Sequence, residues 1–399
     1  MSFVSRIFGQ LTVLLKLIQE KKVVGGKNLK CDFVIFDKSQ FSEIRWVMPH
    51  GSWLFFDPRY EEVLYLRPFL HGFIRWVNSG LSQSLTYHYF SCFVVMSSPK
   101  AIFSAAYFDE NLYAVRNSNN GFLNFKFIVF QSSLWDSYSI PPVRGSLTQD
   151  DLVFCLSDSY QSLWREISGP VQTKPICTLG AQRFKSNLKN SGKTRKSGHL
   201  NKSSGAAWIS VWRNPVTTSQ ILGADDKDSY ELERACLRSI TQTCLEIGIP
   251  FNILGGRKVN DTDDEEEFYT EILRDLPWSF VRPKIGETAY ERVNNFHLLF
   301  GAGSTLLYES LFLGKKVLFV DTNRLAPRRH PMGFPNENPP LDLLIDPLSM
   351  DDMQRKVRFI SSISNKDMRE LSGQLLGAKT MRSSEAGIRS QIVKVICDE

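Results

Sequence analysis

The stretch FHLLFGAGSTLLYESLFLGKKVLFVD, residues 296–321, limits the fold more than any other part of the chain. An apolar run of strand length ends at Phe300, and Gly301 and Gly303 let the backbone turn tightly. Ser304 and Thr305 then open a helix that Gly314 closes, with Lys315 and Lys316 complementing its carboxyl end, and a second apolar strand follows. Two buried-type strands joined by one helix lie parallel, because a parallel pair needs a crossover. A parallel sheet in turn needs helices on both faces.

The same rhythm runs through the second half. Ala207–Trp212 reads as a strand, Asp228 and Glu231 as the N-cap and N3 of a helix, and Leu232, Ala235, Cys236, Ile240, Cys244 and Ile247 as its apolar face. Gly248 ends that helix, and Ile249–Leu254 is the next strand. Glu265–Leu276 is helical, Trp278–Val281 a strand and Glu287–Asn294 helical. The first half repeats the pattern more weakly, with strand candidates at 31–37, 52–56, 101–107, 125–131, 151–157 and 176–180 and helices at Val63–Val77 and Thr86–Met96. The expected fold class is α/β, with two Rossmann-like domains and a cleft between them. Residues 1–182 form the first domain, 183–205 a basic linker or loop and 206–399 the second domain, its last helix packing back on the first.

Composition supports a globular chain and narrows its partners. With 42% hydrophobic and 23% charged residues, disorder and coiled coil are excluded as the main architecture. A net charge of +6 over 399 residues permits an anionic partner without demanding nucleic acid, and no base-stacking motif accompanies the basic segment 183–205. Nucleic acid is therefore not expected as a partner. Seven scattered cysteines without a CxxC favour a reducing, cytoplasmic setting, and the six histidines form no metal-binding spacing. Residues 2–20 carry Phe3, Ile7, Leu11, Leu14, Leu15 and Ile18 at helical spacing, interrupted by Arg6 and Lys16. That amphipathic segment either packs on its own domain or lies on a membrane surface.

Three clusters of residues could carry chemistry. At Gly303, Ser304 and Thr305 the first N–H groups of the helix, its positive dipole end and two hydroxyls make a place for a phosphate, with Glu309 one turn on, where a carboxylate could accept a ribose hydroxyl. Ser304 could equally be a plain N-cap in a structural turn. The second cluster is Gly255, Gly256 and Arg257 at a strand end, with Arg213 in the matching place after Ala207–Trp212. Two arginines at the carboxyl ends of one sheet point to an anion, or form surface ion pairs. The third, in the first half, gathers Asp37, Arg59, Glu61, Asp109, Asn111 and Gln131 at strand ends. A base or nucleophile here would be a carboxylate, and Asp37, Glu61, Asp109 and Asp158 are the candidates, each with a cap or an ion pair as its alternative role. The acidic run Asp261–Glu267 reads as a solvated helix start rather than a metal site.

Taken in order, CDFVIFD, DPRYEE, SSPKAIFSAAYFDENLY, FKFIVFQSS, AWISVWR, ILGGR with EEEFY, and GAGSTLLYESLFLGKKVLFVDTNR resemble the bacterial surface carbohydrate biosynthesis proteins related to the Kdo transferases of capsule and O-antigen assembly. The resemblance runs from about Cys31 to about Ile345. It implies a GT-B-like fold and a metal-independent glycosyltransferase. Such an enzyme takes a sugar, Kdo or a related ulosonic acid, from a nucleotide-sugar donor such as a CMP-linked one to a glycan or glycolipid acceptor, at the inner face of the cytoplasmic membrane. No separate cofactor is implied. The first domain would take the acceptor and the second the donor nucleotide. Carried over by motif, Ser304, Thr305 and Glu309 resemble donor-nucleotide residues, and Arg257 and Arg324 resemble charged residues near its phosphate. Arg59, Glu61, Asp109, Asn111 and Gln131 fall on the first-domain motifs. The family's glutamine is typically followed by Asn-Gly, whereas Gln131 precedes Ser132-Ser133. A nucleotide-sugar epimerase or hydrolase of the same fold, or a non-catalytic member, are the alternatives.

Overall fold

The computed structural model describes residues 23–25, 29–37, 44–58, 63–80, 83–105, 109–118, 124–131, 147–156, 158–175, 205–210, 227–256, 262–284, 287–301, 304–320, 341–346, 348–376 and 385–397. Two sheets carry the architecture. The strands of the first half are β1 (Val23–Val24), β2 (Phe33–Phe36), β3 (Trp53–Phe56), β4 (Leu64–Tyr65), β5 (Ala101–Ser104), β6 (Lys126–Phe130), β7 (Leu152–Cys155) and β8 (Gln172–Pro175). Those of the second are β9 (Ala206–Ile209), β10 (Phe251–Leu254), β11 (Ser279–Val281), β12 (Leu298–Gly301), β13 (Lys316–Val320) and β14 (Leu344–Ile345). The first sheet has the order β3-β2-β5-β6-β7-β8 and the second β11-β10-β9-β12-β13-β14, while β1 and β4 form a separate pair. Every pairing is parallel. The expectation of two Rossmann-like α/β domains is met.

Helices supply the crossovers: α1 (Leu66–Asn78), α2 (Leu85–Ser97), α3 (Glu110–Ser118), α4 (Asp158–Ser168), α5 (Lys227–Glu246), α6 (Thr262–Leu273), α7 (Ala289–Asn294), α8 (Thr305–Phe312), α9 (Met350–Ser362), α10 (Asn365–Leu376) and α11 (Glu385–Cys397). Two glycines end helices as their positions promised. Gly248, at φ 75°, follows α5, its amide bonds Leu245 O and the Ile249 amide bonds Cys244 O. Gly314, at φ 80°, does the same for α8, with the Lys315 amide on Ser310 O. Both are Schellman closures, which only a residue free to turn left-handed makes at no steric cost.

The first sheet shows why its strands are apolar throughout. Along β2, Val34 and Phe36 enter one hydrophobic cluster with Phe90 and Phe93 of α2, whereas Phe33 and Ile35 enter a second with Ile388, Ile392 and Val395 of α11. Side chains alternate between faces, so a strand covered on both sides is apolar at every position. The last described helix thus completes the core of the first domain. Lys126 Nζ donates to Val395 O at 2.5 Å and an Arg389 guanidinium nitrogen to Trp46 O at 2.8 Å.

Several boundaries differ from the sequence reading. Residues 63–65 are not helical, because Leu64–Tyr65 pairs with β1. Helix α5 begins at Lys227, which places Asp228 inside it rather than at its cap. The final strand of the first sheet is Gln172–Pro175, an edge strand whose Thr173 is buried between two exposed neighbours. The expected strand at 176–180, the amphipathic segment 2–20 and nearly all of the basic segment 183–205 lie outside the described residues. All six described cysteines are free. Among the described residues no helix is long and apolar enough to cross a membrane.

Candidate functional site

In the second sheet the chain goes from β9 outward to β10 and β11, then returns to the other side of β9 with β12. The order reverses there, at β9, and in open α/β sheets ligands bind beyond the carboxyl ends of the strands at such a switch point. Ser210 follows β9, Gly255-Gly256 follow β10, and Gly301 leads through the turn to Ser304.

Helix α8 opens at this switch point. Ser304 occupies the N-cap with extended backbone, φ −89° and ψ 125°, and its carbonyl accepts from the Leu307 amide at 3.0 Å. Among the described residues its hydroxyl makes no capping bond, and the helix start carries the positive end of the dipole. Thr305 beside it is half-buried. Glu309, one turn on, is buried and accepts from the Tyr290 hydroxyl at 3.2 Å. Gly301 has ordinary space around it, since an added Cβ would meet nothing nearer than Leu307 at 3.5 Å.

The tight approach lies at the neighbouring strand exit instead. A Cβ on Gly256 would sit 2.9 Å from the Ser210 carbonyl oxygen, and one on Gly255 2.7 Å from the Phe280 ring. Both amides are engaged inside the fold: Gly255 N–H donates to Val281 O at 3.2 Å, and Gly256 N–H to Glu265 Oε1 at 3.0 Å. This turn therefore offers a ligand its shape rather than its N–H groups. Ser210 Oγ accepts from the Tyr269 hydroxyl at 2.8 Å, which extends the polar network beneath β9.

Two residues here were missed in the sequence. Glu265 lies in the acidic run that reads as a solvated helix start, yet it has no exposed surface while Asp263 and Asp264 remain in water. Its spacing to Tyr269, Ile272 and Leu273 marks the buried face of α6, a signal the acidic run concealed. Arg292 stands on α7, whose start is fixed by a capping box between Thr288 and Glu291. It donates to Gly255 O at 2.5 Å, and its Nε is buried without a partner. Burial pushes its pKa down, with Glu287 and Glu265 opposing that shift.

The first sheet reverses order between β2 and β5. Asp37 leaves β2 at that point, buried, in a left-handed conformation at φ 71°, its amide donating to Phe56 O at 3.0 Å. Such a backbone costs a non-glycine residue on the order of 1 kcal/mol. Asp109 serves as a helix start: its Oδ1 accepts from the Asn111 amide and side chain, each at 2.9 Å. Asn111 Oδ1 in turn accepts from Ser84 Oγ at 2.6 Å. Gln131 is buried, and its Oε1 accepts from Trp164 Nε1 at 3.1 Å and from the Leu156 amide at 3.3 Å. That oxygen ties β6 to α4. Arg59, Glu61, Arg213, Arg257, Gly303, Arg324 and the Asp158 side chain lie outside the described residues. Among the described residues no group of three or more His, Cys, Asp or Glu is arranged to hold a metal ion.

Comparison with known proteins bears on this geometry. Residues 173–374, just over half of the chain, match a family model described as "putative O-antigen biosynthesis protein". The fold is similar to that of UDP-GlcNAc 2-epimerase from Neisseria meningitidis bound to UDP-GlcNAc, at 9% identity and a TM-score of 0.51, covering 92% of this chain and 99% of that one. It is similar also to the OtsA apo structure, at 9% identity and a TM-score of 0.50, covering 92% of this chain and 98% of that one. No curated protein matches the sequence. The architecture is thus GT-B-like, two Rossmann-like domains with a cleft between them.

Proposed function

The chain belongs to this O-antigen biosynthesis protein family, and on that premise we propose that it is a glycosyltransferase that moves a sugar from a nucleotide-activated donor to a surface glycan or glycolipid. The observation that carries the reading is the uncapped start of α8 at the switch point of the second sheet. Its first N–H groups and the Ser304 hydroxyl take the donor phosphate, and the half-buried Arg292 guanidinium adds fixed positive charge beside β10. Glu309, held by Tyr290, accepts a ribose hydroxyl. Preorganised donors of this kind stabilise charge as it gathers on the departing phosphate, and they need no reorganisation at that moment. Arg213, Gly255, Gly256, Arg257, Gly303, Thr305 and Arg324 complete the proposed donor side.

The first domain takes the acceptor. Asp37 is the preferred base for the acceptor hydroxyl, since its strained backbone sits at the switch point where a ligand meets the sheet, and Asp109 and Glu61 are the other candidates. A CMP-linked ulosonic acid such as Kdo is the donor implied by the sequence resemblance, and the inner face of the cytoplasmic membrane is the proposed place of work.

A thermal-shift panel of CMP, UDP and GDP species and their sugars tests the reading. One nucleotide class should raise the melting temperature, and Ser304→Ala should weaken its binding roughly tenfold or more, the worth of one hydrogen bond to a charged group. Absence of binding by every nucleotide rejects the proposal. The likeness to an epimerase fold supports a second reading, conversion of the donor alone. Full-rate turnover without a glycan acceptor would favour it.

A further inference from the structure

Helix α1 presents three faces of different chemistry. Pro68, Phe69, Gly72 and Trp76 turn inward, and Gly72 lets the helix lie directly on the backbone of α2, where an added Cβ would stand 2.7 Å from the Tyr89 Cα. At 3.6 residues per turn, Leu66, Leu70, Phe73, Ile74 and Val77 fall along one outer flank and Arg67, His71 and Arg75 along the other. Leu70 is 45% exposed and Ile74 56%, and all three basic residues are exposed. The helix holds no acidic residue, and among the described residues no carboxylate pairs with Arg67 or Arg75.

A surface helix ordinarily turns charges of both signs toward water. Here two large aliphatic side chains, one turn apart, lie beside a flank of a single sign. That division suits a boundary where one side is hydrocarbon and the other is a layer of negative charge. An anionic bilayer sets hydrocarbon directly beside a layer of phosphates, and the two outer flanks of this helix match that pairing. The net charge of +6 acts in the same direction.

We propose that α1 docks the protein on an anionic membrane, with Leu70 and Ile74 entering the boundary between headgroups and acyl chains and Arg67, His71 and Arg75 meeting lipid phosphates. The proposal stands independently of the donor chemistry and holds whichever reaction the second domain performs. It is tested by co-sedimenting the full chain with vesicles of phosphatidylglycerol and phosphatidylcholine, and with phosphatidylcholine alone. Binding is expected to the first only, and to fall as salt rises. The pair Arg67→Gln and Arg75→Gln should weaken partitioning on the order of twentyfold, about fivefold per arginine. The pair Leu70→Ser and Ile74→Ser should weaken it about tenfold, with an unchanged circular dichroism melt in both cases to show that the fold is intact. No binding to the anionic vesicles overturns the proposal. So does binding that both double variants retain in full, which would place the contact elsewhere on the chain.

Discussion

Glu265 Oε1 receives the amide proton of Gly256 at 3.0 Å, and this carboxylate has no exposed surface. The bond holds the exit of β10 against α6. Glu265→Gln keeps an acceptor in place and should melt close to the parent. Glu265→Leu strands the amide and should cost roughly 1–3 kcal/mol in urea denaturation. Equal stability of the two variants would show that the bond contributes nothing.

The glycines of the two strand exits should respond differently. At Gly256 a methyl group meets a backbone oxygen at 2.9 Å, so Gly256→Ala should cost about 1–3 kcal/mol. At Gly301 the nearest atom is a flexible leucine end at 3.5 Å, and Gly301→Ala should stay within roughly 0.5 kcal/mol of the parent. Parallel urea melts of the two variants separate these outcomes.

On the proposed donor side, Arg292 would act through its geometry as well as its charge. Lysine keeps the charge but cannot hold Gly255 O and present a second donor in one plane. Arg292→Lys should therefore lose about tenfold in nucleotide affinity by calorimetry. An unchanged affinity would remove this arginine from the donor site.

In the first domain, Asp151 is fully buried and accepts from the Phe127 and Thr148 amides, each at 2.7 Å, and from both terminal nitrogens of Arg116. The guanidinium also lies over the Phe127 ring at 4.4 Å. Arg116→Met leaves a buried carboxylate without its counter-charge and should cost about 3–5 kcal/mol. The denaturation midpoint reads this directly, and a loss below about 1 kcal/mol would show that the amides alone suffice.

Acid should expose a smaller contribution. The Ser52 amide and hydroxyl, at 2.9 and 2.8 Å, with Lys100 beside them, pull the Asp32 carboxyl down to about 2. Its folded pKa lies below the unfolded value of about 4, so its stabilisation is complete above pH about 4 and is lost as the pH falls through about 2. The melting difference between the parent and Asp32→Asn should shrink across that window. A difference constant with pH would contradict the assignment.

The sequence disclosed the repeating strand–helix rhythm because both faces of each sheet are covered, which leaves runs such as Phe33–Phe36 apolar throughout. The glycine closures at Gly248 and Gly314 were equally plain, since only a left-handed residue ends a helix that way. The site was less legible. Gln131 looks like a reactive group at a strand end, but its oxygen is taken by Trp164 and Leu156, partners fixed by tertiary packing. Glu265 was hidden among acids that face water, and Arg292 sits in a short helix whose sequence shows a cap but not what its side chain reaches. Edge strands such as Gln172–Pro175 carry little apolar signal, because only alternate residues are buried.

The packing of α11 on the first sheet has a consequence for biosynthesis. Arg389 meets Trp46 across 343 residues of chain, so one face of the first domain lacks α11 until the whole of the second sheet has been synthesised. Phe33, Ile35, Phe103 and Phe130 lack their cover of Ile388, Ile392 and Val395 through that interval. A nascent chain stalled before α11 should recruit chaperones that the finished protein does not need.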